Sequence, residues 1–179
     1  MLIFDIETDG LLYNVTTIHC LVIYDTENDQ TLVFNDETFV RATDQPAKEP
    51  ITRGIQLLMD ADCICGHNIL SYDIPVICKL YPWFERPTAI VDTLLLSRLY
   101  HANMIDLDKR HNWDGMPLKL YGRHSLEAYG HRLKCLKGDY GKATDWKEWS
   151  AEMQDYCVND VKVTTKLWDH FQPYLRGSK

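Results

Sequence analysis

Residues 2–7 read Leu-Ile-Phe-Asp-Ile-Glu, a run with the apolar density of a β-strand that is buried on both faces. Side chains alternate along a strand, so Asp5 and Glu7 project to one face, and Phe4 and Ile6 project to the other. Two carboxylates side by side in apolar surroundings are costly, and a hard cation between them is the simplest remedy. Mg²⁺ and Mn²⁺ prefer oxygen ligands and keep places open for water and a phosphate. The run suggests metal-assisted phosphate chemistry, although acids near a strand end are commonly just exposed.

Length and composition predict one globular domain. The chain has 179 residues, of which 45% are apolar and 25% charged, and this is enough for a sizeable core. We expect residues 1–171 to form the domain and 172–179 to form a short polar tail. No basic flank, signal-like segment or long apolar run is present, which predicts a cytoplasmic protein with no membrane partner. The six cysteines lack a CxxC pair, so reduced thiols are favoured over a zinc site.

The charge is distributed unevenly. The net charge of −7 argues against a protein that coats nucleic acid through bulk electrostatics. Residues 109–137, however, hold seven Lys or Arg against two acids. This local basic segment fits an enzyme that holds a short stretch of nucleic acid, and a solvated mixed-charge loop remains an equal alternative.

The pattern of apolar residues and turn residues predicts an α/β domain with a mixed sheet. After the first strand, 17–25 and 31–34 form a predicted hairpin, followed by a loop at 43–50. Further predicted elements are helices at 51–59, 73–80, 93–101, from a cap at Ser125, and at 149–170, strands at 61–65 and 89–91, and an irregular segment at 103–123.

A third acid lies on an apolar helix stripe. Within the predicted helix 149–170, residues recur at spacings of three or four, which predicts one face against the sheet. They are Met153, Tyr156, Asp160, Val163 and Leu167. A lone Asp there is more often a structural, hydrogen-bonded acid. Because Asp5 and Glu7 need a shared cation, we interpret Asp160 as a further metal ligand.

The fourth acid, Asp73, follows a strand that ends at Gly66 and opens the next predicted helix. Taken alone, an N-cap is a sufficient explanation for this residue. As one member of a set it is well placed, because strand ends of α/β sheets are where sites assemble.

These positions carry a resemblance to a known family. Asp5-x-Glu7, Asn68-x-x-x-Tyr72-Asp73 and Tyr156-x-x-x-Asp160 resemble, in order and spacing, the three motifs of the DEDDy 3′–5′ exonucleases. Four longer stretches resemble the N-terminal proofreading domain of T7-type phage DNA polymerases. They are Asp5-Ile6-Glu7, His19-Cys20 with Val22-Ile23-Tyr24-Asp25, Asp92-Thr93-Leu94 with Leu96-Ser97-Arg98-Leu99, and Leu126-Glu127-Ala128 with Arg132-Leu133.

The resemblance implies a ribonuclease-H-like (DnaQ-like exonuclease) fold, a mixed sheet flanked by helices. It implies two Mg²⁺ or Mn²⁺ ions and a water oriented by Tyr156. It also implies that DNA 3′ ends, single-stranded or frayed, are degraded to mononucleotides. The implied metal ligands are Asp5, Glu7, Asp73 and Asp160, and the implied substrate contacts are Thr8, Leu11, Asn68 and Tyr72.

The resemblance leaves the context of the domain open. In the resembled polymerases a polymerase domain follows, whereas this sequence stops at Lys179, so a polymerase domain or subunit is an expected partner. If the chain is phage-encoded, the cytoplasm is that of the bacterial host. Three alternatives stay open: an exoribonuclease of the same superfamily, a silent nucleic-acid-binding domain and a structural α/β domain.

Overall fold

Five strands form one mixed sheet in the computed structural model of the chain, which describes residues 1–36, 50–135 and 146–178. The strands lie in the order β3-β2-β1-β4-β5. They are β1 (Leu2–Thr8), β2 (Ile18–Asp25), β3 (Gln30–Phe34), β4 (Cys63–Gly66) and β5 (Ala89–Asp92). β1, β2 and β3 are an antiparallel meander, whereas β4 and β5 run parallel to β1. The predicted mixed sheet is confirmed, and β1 is its central strand.

Helices cover both faces of the sheet. The helices that the structure describes are α1 (Ile51–Asp60), α2 (Asp73–Leu80), α3 (Thr93–Tyr100), α4 (Met104–His111), α5 (Leu126–Arg132) and α6 (Ala151–Leu175), with a 3₁₀ turn at Leu118–Leu120. α6 packs across β1 and β2, and α1 packs on β2 and β3. None of these described helices is long and apolar enough to span a membrane.

The two faces of β1 enter different cores. Phe4 and Ile6 are buried in the larger apolar cluster, together with residues of α1 and α2. Ile3 faces the other way and packs in a smaller cluster with Cys157 and Val161 of α6. Because strand side chains alternate, Asp5 and Glu7 share the face of Ile3. The prediction that Asp5 and Glu7 project to one face of β1, and Phe4 and Ile6 to the other, is therefore correct. The face with the acids is the one covered by α6.

The prediction that 103–123 is irregular is wrong in part, because this segment contains α4 and the 3₁₀ turn. The helix was not predicted because it carries a buried acid, Asp108, which is only 1% exposed. Its carboxylate accepts hydrogen bonds from Trp113 Nε1 (2.9 Å), from Gly122 N (2.7 Å) and from two nitrogens of Arg132 (2.9 and 2.7 Å). An acid on the inner face of a helix breaks the apolar pattern that predicts one.

Several predicted boundaries also move. β4 begins two residues later than the predicted strand 61–65 and includes Gly66. α6 begins after Ser150, whose hydroxyl caps it, and continues five residues beyond its predicted end. The predicted loop 43–50 lies outside the described residues except for Pro50.

Replacing Arg132 with Met should destabilise the fold by about 3–5 kcal/mol, because it leaves a buried charge on Asp108 without its ion pair. The two side chains are 6% and 1% exposed. Burial alone would raise the pKa of Asp108, but the hydrogen bonds from Arg132 and Gly122 hold that pKa below its usual range. Urea unfolding measures the effect.

A matched control is Lys119→Met, since Lys119 is exposed and its loss should change the free energy of unfolding by no more than about 0.5 kcal/mol. Adding Asp108→Asn to Arg132→Met should restore part of the lost stability. Equal stabilities for the Arg132 and Lys119 variants would contradict the assignment.

Candidate metal centre

The site is built where β1 runs past the end of β4. The two strands pair at Leu2 with Ile64 and at Ile3 with Cys65, and β4 then stops at Gly66. A Cβ at Gly66 would lie 2.9 Å from the carbonyl oxygen of Phe4 and 2.3 Å from a methyl carbon of the Ile69 side chain, so only glycine fits this turn. The second half of β1 consequently has a partner strand on one side only.

Asp73 fills the open side of β1. Its Oδ1 accepts a hydrogen bond from the backbone N–H of Ile6 at 3.3 Å. Asp73 is the first residue of α2, and the N-cap position belongs to Tyr72. Asp73 is therefore not the N-cap, and its carboxylate reaches the β1 backbone at Ile6, between Asp5 and Glu7.

Asp5 and Glu7 converge with a residue that the sequence did not single out. One ligand atom from each of Asp5, Glu7 and Cys157 lies within 4.8 Å of the other two. Cys157 Sγ lies 3.4 Å from the backbone oxygen of Asp5 and 3.5 Å from its Oδ2. Burial raises the pKa of this thiol well above its usual range, with further contributions from Cys20, Asp5 and Glu7. Cys157 is therefore a hydrogen-bond donor to Asp5.

Asp73 and Asp160 complete the acidic end of the sheet. They are only 4% and 6% exposed. Burial raises the pKa of Asp73 to about 7, against the opposing effect of backbone hydrogen bonds, and the negative charges of Asp92 and Asp160 add to the rise. A buried carboxyl beside other negative charges is in the electrostatic state that a cation relieves.

The helix stripe predicted in α6 is largely confirmed. Met153, Asp160 and Leu167 are buried, and Tyr156 is half-buried one turn before Asp160. The ring of Tyr156 packs edge-on against Trp146, with 6.2 Å between ring centroids.

Trp146 is itself held by β2. Its backbone oxygen lies 3.0 Å from Nε2 of the buried His19. Trp146 is thus tied to the sheet through His19, and its ring packs against the ring of Tyr156. No local sequence pattern indicates this contact, because 127 residues separate its two ends.

Two predicted substrate contacts are joined to each other. The hydroxyl of Tyr72 lies 2.5 Å from Thr8 Oγ1 and donates to the backbone oxygen of Gly10 at 2.5 Å. Burial raises the pKa of Tyr72, so the hydroxyl stays protonated and serves as a donor. These contacts fasten the loop after β1 to the start of α2.

The same loop is anchored at two more points and exposes apolar side chains. Asp9 Oδ1 accepts from Thr16 N at 2.9 Å, and Lys79 Nζ of α2 donates to the backbone oxygen of Tyr13 at 3.3 Å. Leu11 is 61% exposed and Tyr13 is 80% exposed. A rigid loop beside the acids therefore presents apolar surface to solvent.

Asn68, the remaining predicted contact, has a left-handed backbone with φ of 65°. Its N–H donates to Asp92 Oδ1 at 2.8 Å, and Leu70 N donates to Asp92 Oδ2 at 3.1 Å. Asp92 also caps α3 through Leu94 N. Asp92 was not predicted as a site residue, although an Asp directly before Thr-Leu-Leu-Leu is a recognisable cap signal.

The basic segment is smaller than its composition indicated. Arg132 is used by Asp108 inside the fold, and Lys137 lies outside the described residues. The remaining basic side chains of the segment, all exposed, are Lys109, Arg110, Lys119, Arg123 and Lys134.

Comparison with known proteins identifies the family. A model of the RNase H superfamily matches residues 2–172. The chain belongs to the RNase H superfamily. Among curated proteins, the DNA-directed DNA polymerase of Escherichia phage T7 is 34% identical over 93% of this chain. The alignment covers 26% of that polymerase, so the chain spans about a quarter of its relative's length. The predicted resemblance to T7-type phage polymerases is confirmed.

Solved structures share the fold of the chain. The apo form of a nuclease has a TM-score of 0.64 at 18% identity, over 99% of this chain and 74% of that one. Escherichia coli exonuclease I in complex with a dT13 oligonucleotide has a TM-score of 0.55 at 19% identity, over 99% of this chain and 42% of that one. The predicted ribonuclease-H-like fold is confirmed.

The donor set suits a divalent cation. The end of the sheet collects carboxylates from β1, α2 and α6, two of them buried, and Mg²⁺ and Mn²⁺ favour carboxylate oxygens. Burial of Asp73 and its repulsion from Asp160 are costs that a bound cation reverses. The residues of this superfamily member therefore fit a hard divalent ion.

In the presence of a chelator, the free energy of unfolding should fall as the pH rises from about 5 to about 7, by at most about 1.4 kcal/mol per pH unit. The folded state keeps the Asp73 proton up to about pH 7, whereas the unfolded chain releases it near the ordinary value of 3.8. Raising the pH through this window therefore favours unfolding.

Denaturant unfolding in EDTA, compared between wild type and Asp73→Asn, checks this. The variant cannot ionise, so its stability should vary less with pH across the window. Parallel pH profiles for the two proteins would show that Asp73 ionises normally in the fold.

Proposed function

We propose that the chain is a metal-dependent 3′–5′ exonuclease that hydrolyses DNA to mononucleotides. The proposal is supported by the acidic end of the sheet, where ligand atoms of Asp5 and Glu7 lie within 4.8 Å of each other and where Asp73, bonded to Ile6 N between them, has its pKa raised in part by the charge of Asp160. The four acids follow the motif order of the DEDDy exonucleases. Asp5 and Glu7 come from β1, Asp73 comes from the start of α2, and Asp160 comes from the inner face of α6. A structural domain or a binding module has no need for all four.

Each acid has a role that follows from its position. Asp5, Glu7, Asp73 and Asp160 would hold the metal ions. Bound Mg²⁺ or Mn²⁺ supplies Lewis acidity and an activated water at the scissile phosphate. Tyr156, supported by Trp146, would orient that water through its hydroxyl, together with Glu7.

The relatives support DNA as the substrate. The phage T7 relative is named a DNA-directed DNA polymerase, and the solved exonuclease I holds a dT13 oligonucleotide. The chain spans only 26% of the polymerase. We therefore propose that its partner is a polymerase domain or subunit and that it proofreads, removing mismatched nucleotides from 3′ ends.

Single-stranded and mismatched 3′ ends should be degraded faster than paired ends. A paired end must first be unstacked and unpaired, at a cost of a few kcal/mol. The exposed Leu11 and Tyr13 and the ring of Tyr72 can contact splayed bases, and stacking on an aromatic ring contributes about 1–3 kcal/mol per base.

Product analysis on 5′-labelled single-stranded, paired and mismatched DNA, with matched RNA, tests the function. We expect mononucleotides from DNA with Mg²⁺ or Mn²⁺ and none with EDTA. Oligonucleotide products at the earliest times would indicate an endonuclease, and faster cleavage of RNA would indicate an exoribonuclease.

Replacing Asp5 or Asp160 with Ala should remove far more activity than the ~10²–10³-fold that the loss of one stabilising donor causes, because an ion is lost as well. The fold should survive in EDTA, since each change relieves repulsion among the acids. Turnover on single-stranded DNA and the melting temperature in EDTA measure the two effects.

The matched control is Asp62→Ala at an exposed acid, which should keep the wild-type turnover on single-stranded DNA and the wild-type melting temperature in EDTA. If Asp160→Ala melted well below wild type in EDTA, the acid would have a structural role instead.

Replacing Tyr156 with Phe should cause a partial loss of turnover, at most about 10²–10⁴-fold, because only the hydroxyl that orients the water is removed. Single-turnover kinetics on DNA measure the loss. Tyr24→Phe is the control, since the Tyr24 hydroxyl binds Asp29 at 2.7 Å in an exposed turn. Unchanged turnover in Tyr156→Phe would remove Tyr156 from the mechanism.

A further inference from the structure

A further buried acid, Asp92, lies at the end of the sheet that carries the metal centre. It is the last residue of β5 and pairs with Gly66, the last residue of β4. Because β1, β4 and β5 are parallel, their carboxyl ends lie at the same edge of the sheet. The side chain is only 5% exposed, and it is not among the four proposed metal ligands. Its role must therefore come from the groups that it binds.

Capping of α3 accounts for only part of this side chain. Oδ1 of Asp92 accepts a hydrogen bond from Leu94 N at 2.9 Å, which is the cap. A hydroxyl is sufficient for the same purpose elsewhere in the protein, since Ser125 caps α5 and Ser150 caps α6. A carboxylate with a second oxygen is more than the cap requires.

Asp92 also holds the turn 68–70, directly after β4. Its Oδ1 accepts a hydrogen bond from Asn68 N at 2.8 Å, and its Oδ2 accepts one from Leu70 N at 3.1 Å. Asn68 has a left-handed backbone, with φ of 65°, which is uncommon for a residue other than glycine. The two hydrogen bonds from one carboxylate fix the turn in this conformation.

The turn determines where α2 starts. The backbone oxygen of Asn68 accepts from Tyr72 N at 3.2 Å, and the backbone oxygen of Ile69 accepts from Ile74 N at 3.0 Å. Tyr72 and Ile74 flank Asp73, the metal ligand that reaches the β1 backbone. The position of Asp73 therefore depends on the turn that Asp92 holds.

The charge of Asp92 also acts on the metal centre. Burial is the main cause of the raised pKa of Asp73, and the negative charge of Asp92 adds to it. A negative charge that opposes the ionisation of a carboxyl group also attracts a cation to the same place. Residues that support metal ligands without touching the ion change metal affinity by about 10–100-fold when they are replaced.

We propose that Asp92 is a positioning residue of the metal centre. It holds the turn 68–70, which places Asn68, Tyr72 and Asp73, and its charge strengthens the binding of a divalent ion that it does not touch. The effect of Asp92 on hydrolysis rests on the proposed function, whereas its effect on ion binding does not.

Mn²⁺ titrated into the metal-free protein without DNA tests the effect on ion binding, with free Mn²⁺ measured by electron paramagnetic resonance. Asp92→Asn removes the charge and one acceptor oxygen, whereas Asp92→Ser keeps a hydroxyl that can cap α3. We expect both variants to bind Mn²⁺ about 10–100-fold more weakly than wild type. If Asp92 served only as a helix cap, Asp92→Ser would bind Mn²⁺ as tightly as wild type, and this result would overturn the proposal.

Ser125→Ala is the matched control, because it removes the cap of another helix, α5, that carries none of the proposed ligands. It should lower the melting temperature and leave the Mn²⁺ affinity unchanged. Circular dichroism at the temperature of the titration verifies that each variant is folded, and Asp92→Asn decides the question if Asp92→Ser does not fold. An equal loss of Mn²⁺ affinity in Ser125→Ala would show that general destabilisation is the cause and would overturn the proposal.

Hydrolysis of single-stranded DNA distinguishes this proposal from the proposed function. The Mn²⁺ concentration for half-maximal hydrolysis should rise in Asp92→Asn by the same factor as the dissociation constant. Weaker Mn²⁺ binding in the Asp92 variants, together with a wild type that does not hydrolyse DNA, would keep the positioning role and refute the exonuclease. An active wild type with unchanged Mn²⁺ affinity in both Asp92 variants would do the reverse.

Discussion

The difference in length between β1 and β4 is the constraint on which the site depends. If β4 continued in register, its backbone would take the hydrogen bond of the Ile6 amide. Because β4 stops at Gly66, that amide is left for the carboxylate of Asp73. One hydrogen bond thus satisfies a buried backbone donor and places an acid beside Asp5 and Glu7.

The acids are held together against their mutual repulsion by apolar packing on both sides of β1. Phe4 and Ile6 pack with apolar residues of α1 and α2 on one face of the strand. Ile3 packs with Val161 of α6 on the other face. Each acid is therefore fixed by neighbours that gain from burial, whatever the charge at the site. Carboxylates positioned in this way need little reorganisation when an ion arrives, which is the property that preorganised sites share.

Local patterns predicted the parts of the structure that depend on one element at a time. Alternation along β1 placed Asp5 and Glu7 on one face, and helical spacing placed Asp160 inside. Contacts between distant segments left no such pattern. Cys157 meets Asp5 only because α6 crosses β1, and α4 was missed because its buried Asp108 is balanced by residues up to 24 positions away.

Asp108 also has a consequence for how the surface can vary. It gathers donors from Trp113, Gly122 and Arg132, and thereby fixes the path of the whole connection between α4 and α5 from the inside. The basic side chains of that connection, such as Lys119 and Arg123, are exposed and are not needed to hold its path. Their number and sign can vary, or be redesigned, to change the surface charge independently of both core stability and the acidic cluster.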